Sequence, residues 1–250
     1  MMLDEVYNGQ ALQDKFILSF LKHKQNGFFL EIGSNDAFYI NNTYLLETTY
    51  NWKGIMIDYD SSHENSYKLN RPHSNYVIGD ATQIDYKELL KHNNFPNNVH
   101  YLQIDLEPGN LSTLKTLQNL NNNIFDNYKF ATVTFEHDIY QVTNMNDSFY
   151  KTREQSREIF KERGYIRVLS DVNNDGWINL QERRLAFKNG ELHDTKLSPE
   201  ETGNYPFEDW YVHPDLVDIE YINKFIENNK KHYRPDNICG STINFLAIEY

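Results

Sequence analysis

Six short apolar runs recur along the chain, and most end in a small or acidic residue. They are GFFLEIG from Gly27, KGIMIDYD from Lys53, NYVIGDA from Asn75, VHYLQIDLE from Val99, KFATVTFEHD from Lys129 and GYIRVLSDV from Gly164. Runs this short, rich in β-branched and aromatic residues and without a clear polar face, predict strands buried on both sides. Between them lie polar segments of crossover length, NNTYLLETTYN, SSHENSYKLNRP, TQIDYKELLKHN, LSTLKTLQNLNN and SFYKTREQSREIFKER, which predict helices. Strand and helix in alternation predict an α/β fold, a mostly parallel sheet with helices on both faces. GSTINFLAIEY at the C-terminus is expected to supply a last strand. Residues 173–205 are polar and punctuated by Gly and Pro, the pattern of a surface insertion into one domain spanning 1–250.

In an open parallel sheet, ligands bind beyond the carboxyl ends of the strands, so the residues that follow each run carry the candidate chemistry. After the first run come Glu31, Gly33, Ser34, Asn35 and Asp36; Gly33 allows close backbone approach, and Glu31 can accept from an ammonium or hydroxyl group. Asp58 ends the second run, where an acid suits the paired hydroxyls of a ribose. Asp80 and Ala81 follow the third, and Asp80 could accept from an exocyclic adenine amine. A dinucleotide fingerprint would need three glycines where only Gly33 stands, which weakens an oxidoreductase reading.

Composition narrows the partners. The chain has 24 Lys plus Arg against 36 Asp plus Glu, a net charge of -12, which argues against nonspecific binding to nucleic acid or to an anionic membrane. Cys239 is the only cysteine, so no intrachain disulfide and no CxxC redox site exist. No stretch has the ~20 apolar residues of a membrane span, and the first residues lack the basic and apolar blocks of a signal peptide; the expectation is a soluble, cytoplasmic protein. A homo-oligomer stays open.

Residues 171–182, DVNNDGWINLQE, fit the calcium-loop pattern, with Asp171, Asn173, Asp175 and Glu182 as oxygen donors and Gly176 at the turn. The segment follows a strand, whereas an EF-hand loop follows a helix. A polar turn leaving the sixth strand is therefore the favoured reading over a calcium module.

The order E-x-G-x-x-D, a later acid and then GDA resembles the class I S-adenosylmethionine-dependent methyltransferases. Gly9-Gln10, Gln13-Asp14, Phe29-Leu-Glu31-Ile-Gly33-Ser-Asn-Asp36, Asn42-Thr43 and Trp52-Lys-Gly54-Ile-Met-Ile-Asp58 are similar to the FkbM-type methyltransferases, which O-methylate sugars and polyketides. Later segments, Ile104-Asp105-Leu-Glu107-Pro108, Thr134-Phe-Glu136-His137-Asp138, Ser156-Arg157 and Phe207-Glu208-Asp209-Trp210-Tyr-Val-His213-Pro214, look like glycan-modifying members. The chain departs from that pattern at Gly9-Gln10, where many members have SQ, and in the insertion. The resemblance implies a Rossmann-like, seven-stranded sheet with its last strand antiparallel. It implies S-adenosylmethionine as cofactor, with Gln13 and residues 31–36 around the methionine part, Asp58 at the ribose, Asp80 and Ala81 at the adenine, and Asn42 and Thr43 in support.

The acceptor side follows from chemistry. Methyl transfer to an alcohol needs in-line geometry and a deprotonated hydroxyl, and a divalent metal would supply both. Asp105 after the fourth strand, with Glu136, His137 and Asp138 after the fifth, offers hard donors. By likeness to metal-dependent class I O-methyltransferases, Asp105, Glu136 and His137 are the expected ligands of magnesium or manganese, with Asp138 as a substitute. Glu107 and His213 are candidate general bases. Arg153 and Arg157 could face the diphosphate of a nucleotide sugar, though pairing with nearby acids is the favoured reading. The expected activity is O-methylation of a sugar or nucleotide-sugar substrate; a polyketide or other small natural product is the alternative acceptor.

Overall fold

The structure, a computed structural model, describes residues 7–173, 184–188, 191–195, 206–229 and 238–239. All six predicted strands are present: β1 (Phe28–Ile32), β2 (Lys53–Asp58), β3 (Asn75–Ile78), β4 (Asn98–Ile104), β5 (Lys129–Glu136) and β6 (Ile166–Asn173). Helix α1 (Gln13–Phe20) precedes them. The predicted crossovers form α2 (Tyr44–Thr48), α3 (Glu64–Asn70), α4 (Tyr86–His92), α5 (Ser112–Asn123) and α6 (Ser148–Glu162). Within residues 173–205, β7 (Arg184–Lys188) and β8 (Glu191–Thr195) pair antiparallel as a separate two-stranded sheet. β9 (Pro206–Val212), α7 (Ile219–Asn229) and the two-residue β10 (Ile238–Cys239) follow.

The main sheet runs β10-β6-β9-β5-β4-β1-β2-β3. Every described pairing in it is parallel except those of β9, which lies antiparallel between β5 and β6. Without the short edge strand β10, this is the seven-stranded order of the Rossmann-like class I methyltransferase fold. The antiparallel strand among the described residues is Pro206–Val212; the C-terminal segment expected to supply a last strand, residues 240–250, lies outside the described residues. FEDWYV hides its nature because Glu208 and Asp209, which read as surface residues, are fully buried in a strand covered on both faces.

Side chains alternate across the strands and build two cores. Phe29, Tyr101 and Trp210 pack with α1, α2 and α7 through Phe16, Leu46 and Phe225. Leu30, Leu102 and Tyr211 pack with α4, α5 and α6 through Leu90, Leu117 and Phe160. Because the parallel strands end together, the residues just past β1, β2, β4 and β5 meet at one edge of the sheet, and the reversed β9 brings its beginning to that edge.

Candidate active site

A cleft of about 570 Å³ opens at this edge, lined by residues from the ends of β1, β2, β4 and β5, among them Glu31, Gly33, Asp58, Gln103, Asp105 and Glu136. The sheet register explains its layout. Glu31, Gln103, Thr134 and Trp210 stand in one row across β1, β4, β5 and β9. Two residues further toward the cleft on the same face come Gly33, Asp105, Glu136 and Glu208, the last two directly paired. Gly33 has φ +85, and a Cβ there would lie 1.6 Å from the Asp105 carbonyl oxygen, so only glycine lets the loop after β1 pass this close to β4.

Beneath the cleft lies a buried polar layer. Glu31 Oε2 accepts from Thr43 Oγ1 at 2.9 Å and from Asn41 Nδ2 at 3.3 Å, while Arg71 Nη1 stands 3.9 Å away. Arg71, fully buried, donates to Glu47 at 2.8 Å, to Asn41 Oδ1 at 2.9 Å and to Thr43 Oγ1 at 2.6 Å. Asn42 donates to Gln103 Oε1 at 2.8 Å. Glu31 Oε1 and Asn42 Oδ1, both buried, have no hydrogen-bond donor, and both residues line the cleft. Burial pushes the Glu31 carboxyl up to about 7 despite the pull of Arg71 and Thr43.

Of the expected cofactor residues, Glu31, Gly33, Ser34, Asn35, Asp36, Asn42 and Asp58 line the cleft. Asp58 accepts the backbone N–H of Asn35 at 2.7 Å and of Asp60 at 2.8 Å, bracing the two loops against each other. Asp36 caps its own loop by accepting from the N–H groups of Phe38 and Tyr39 at 2.9 and 2.8 Å. Four expected residues sit off the lining. Thr43 lies beneath it. Asp80 is exposed and caps the turn that contains buried Ala81, accepting from Thr82. Gln13 bridges α1 to β9, donating to Glu208 Oε1 at 2.8 Å.

The β4, β5 and β9 side of the cleft is more acidic than the sequence suggested. Burial raises the Asp105 and Glu136 carboxyls, and the two interact with each other across the ends of β4 and β5. Asp138 sits beside Glu136 and is pushed up to about 7 by burial and by the charge of Asp105. Glu208, held by Gln13 and by Trp210 Nε1 at 2.5 Å, is also raised well above a usual carboxyl by burial. Sequence reading missed Glu208 and Gln103. Gln103 could have been found from its place two residues before Asp105 in a buried strand; nothing local marks Glu208.

The expected metal trio of Asp105, Glu136 and His137 is not brought together. Neighbours on an extended strand point to opposite faces, so with Glu136 toward the cleft, His137 turns toward α6. Its Nδ1 accepts from the Ile139 N–H at 3.2 Å, and its Nε2 lies 3.5 Å from both Asp171 and Asp209. Among the described residues, these three are the group whose ligand-type atoms converge within 4.8 Å. They do not fit a cation, because two guanidiniums already neutralise the acids. Arg153 donates to Asp171 at 2.7 Å, and Arg157 donates to Asp209 at 2.6 Å and to Asp171 at 2.9 Å. This is the favoured acid-pairing role of both arginines. It also engages Asp171, the first residue of the calcium-like pattern, within strand β6; residues 174–182 of that pattern lie outside the described residues.

His213 is corrected too. Because β9 runs antiparallel, its last residue, Val212, pairs with Thr132 near the start of β5, the opposite end of the sheet from the cleft. His213 follows it there, with Nδ1 accepting from the Asp215 N–H at 3.2 Å and the ring edge-on to Tyr165 at 4.9 Å. It is a packing residue and cannot reach the cleft. Glu107 is exposed and caps the turn after β4, accepting from Gly109 N–H at 2.8 Å.

No protein-family model matches this sequence, and no curated protein matches it. Solved structures match it as follows. A Clostridium thermocellum protein assigned as an rRNA methylase is 12% identical over 83% of this chain and 98% of its own, with a TM-score of 0.47. A TehB-like S-adenosylmethionine-dependent methyltransferase from Corynebacterium glutamicum is 12% identical over 84% of this chain and 89% of its own, at 0.43. An S-adenosylmethionine-dependent O-methyltransferase from Thermotoga maritima is 11% identical over 80% of this chain and 64% of its own, at 0.42. The fold assignment stands on the strand order itself.

Proposed function

We propose that the chain is an S-adenosylmethionine-dependent methyltransferase that acts on a sugar hydroxyl, of the FkbM type to which its motifs are similar, and that residues 1–250 form one domain for this purpose. The observation that carries the reading is the pair of buried acceptors without donors, Glu31 Oε1 and Asn42 Oδ1, at the carboxyl end of β1 in a class I methyltransferase sheet. Leaving such atoms unpaired costs about 1–3 kcal/mol each, and the ammonium of the cofactor's methionine part would supply the missing N–H donors. Gly33 gives that part room against the backbone, and Asp58 stands where the ribose hydroxyls would donate to a carboxylate.

The acceptor hydroxyl must lose its proton as the methyl group arrives. Burial raises the carboxyls of both Asp105 and Glu136, which makes a carboxylate of this pair basic enough to take the hydroxyl proton. The same two carboxylates, with water, form a donor set that magnesium accepts. A cation bound there would acidify and orient the hydroxyl. His137 takes no part in that site, and Asp138, which interacts with Glu136, could replace it.

Calorimetric titration with S-adenosylhomocysteine tests the cofactor half: binding is expected, and Glu31→Gln and Asp58→Ala should each weaken it. Methyl transfer with magnesium or with chelator tests the acceptor half. Loss with chelator supports a cation at Asp105 and Glu136; indifference to chelator leaves the carboxyl pair as base. If the wild-type chain binds neither S-adenosylmethionine nor S-adenosylhomocysteine, the proposal fails.

A further inference from the structure

Resting on the methyltransferase reading, we infer that Gln103 is a positioning residue: it fixes which way the Asn42 amide faces, and so makes the cleft floor accept a hydrogen bond from the cofactor's amino group rather than offer one. Gln103 lies near the end of β4, is 5% exposed and lines the cleft. A side-chain amide has two orientations that exchange its donor for its acceptor, and its neighbours choose between them. The neighbours of Gln103 leave one choice. Its Nε2 points at the Gly33 carbonyl oxygen, 3.5 Å away, and at Asp105 Oδ2, 3.4 Å away. A backbone carbonyl can only accept, so turning the amide over would set oxygen against oxygen. On the other side, the Tyr101 hydroxyl donates to Gln103 Oε1 at 3.3 Å and lies 2.7 Å from Thr134 Oγ1.

Asn42 inherits that choice. With Gln103 Oε1 turned toward it, Asn42 presents its Nδ2, which donates at 2.8 Å. Its Oδ1 is thereby left as the free end, buried and with no donor from the protein. Were either amide reversed alone, two oxygens or two N–H groups would meet at this contact, at a cost comparable to losing a buried hydrogen bond. The contacts run from the backbone of Gly33 through Gln103 to Asn42, so the glycine loop after β1 sets the polarity of a side chain reached through β4. An acceptor in this place suits an ammonium, which has only N–H groups to give, and disfavours a ligand that brings no donor there.

The test is calorimetry of S-adenosylhomocysteine against its deaminated analogue, in which hydrogen replaces the amino group, on the wild-type chain and on variants. Gln103→Met keeps the length of the side chain and frees the Asn42 amide to turn. Its affinity for S-adenosylhomocysteine should fall about tenfold, while its affinity for the analogue stays within about threefold of wild type. A carboxylate accepts whichever way it turns, so adding Asn42→Asp to Gln103→Met should restore the preference for the amino form. Gln103→Glu keeps an acceptor for Asn42 and should bind S-adenosylhomocysteine within about threefold of wild type. This variant carries the test if Gln103→Met does not fold. Equal loss for both ligands in Gln103→Met, failure of the double variant to regain the preference, or about tenfold weaker binding by Gln103→Glu would overturn the inference and leave Gln103 as a packing residue. Failure of the wild-type chain to bind S-adenosylhomocysteine would instead bring down the methyltransferase reading beneath it.

Discussion

Two groups of acids stand on opposite faces of the same sheet, and their surroundings give them opposite characters. On the cleft face, Asp105, Glu136 and Glu208 are raised by burial and by each other, with no arginine beside them. On the far face, Asp171 and Asp209 are more deeply buried, yet their carboxyls are held below the usual range because Arg157 and Arg153 outweigh the cost of burial. A single residue step along β5 and β9, from Glu136 to His137 and from Glu208 to Asp209, passes from one group to the other. The difference teaches that a buried acid is structural where the fold supplies its cation and a candidate for chemistry where the fold withholds one.

The sharpest break of this comparison removes a cation from the far face. Arg157→Met leaves Asp209 and Asp171 without much of their compensation, and the chain should lose about 3–5 kcal/mol in urea unfolding at neutral pH. The corresponding cut on the cleft face should behave in reverse. Glu136→Gln keeps the shape of the side chain and removes a carboxyl that burial and Asp105 disfavour as an anion, so the melting temperature should hold or rise, while methyl transfer falls by about 10²-fold or more. A variant that loses stability and keeps transfer would erase the distinction between the faces.

Glu31 gives a pH test of the cleft. Its carboxyl, raised to about 7, is ionised only above that pH, and an ammonium requires the ionised form. Cofactor affinity measured by calorimetry should therefore fall as pH drops through 7, and Glu31→Gln should bind weakly with that dependence removed.

Asp14 allows a gentler test of the same electrostatic rule. Burial raises it to about 6 although the N–H groups of Asn8 and Gly9 donate to it. The folded chain thus keeps a proton that the unfolded chain releases near pH 4. Its contribution to stability is complete below that pH and is lost as pH rises through 6. Asp14→Asn should flatten this stretch of the stability profile measured by denaturant unfolding. The smallest effect is expected at His213→Phe, which keeps a ring against Tyr165 at the far end of the sheet; transfer should stay within about twofold of wild type, with about 1 kcal/mol lost from unfolding.

The fold was largely legible because its signals are local. Each of the six predicted strands is a contiguous apolar run, and each predicted crossover became a helix where its polar segment lies. The cleft was legible for the same reason: Glu31, Gly33 and Asp58 lie at strand ends, and strand ends of a parallel sheet converge wherever the strands fall in order. The group of acids at β4 and β5 was legible only in part. Asp105 and Glu136 came from the same rule, but grouping His137 with them overlooked the alternation of a strand, and His213 was assigned to the cleft without the direction of β9. That direction has no local signature, since an antiparallel and a parallel buried strand carry the same kind of run.

By itself, then, the sequence determined the alternation of strands and helices, the glycine at the tight approach after β1, and the acids at the strand ends, because periodicity and residue type act over a few neighbouring positions. Only the tertiary structure decided which acids meet cations. Arg157 and Asp209 are 52 residues apart, and Gln13 and Glu208 are 195 apart. Partners so distant are chosen by the insertion of β9 between β5 and β6, which turns one side of FEDWYV toward the arginines of α6 and the other toward the cleft.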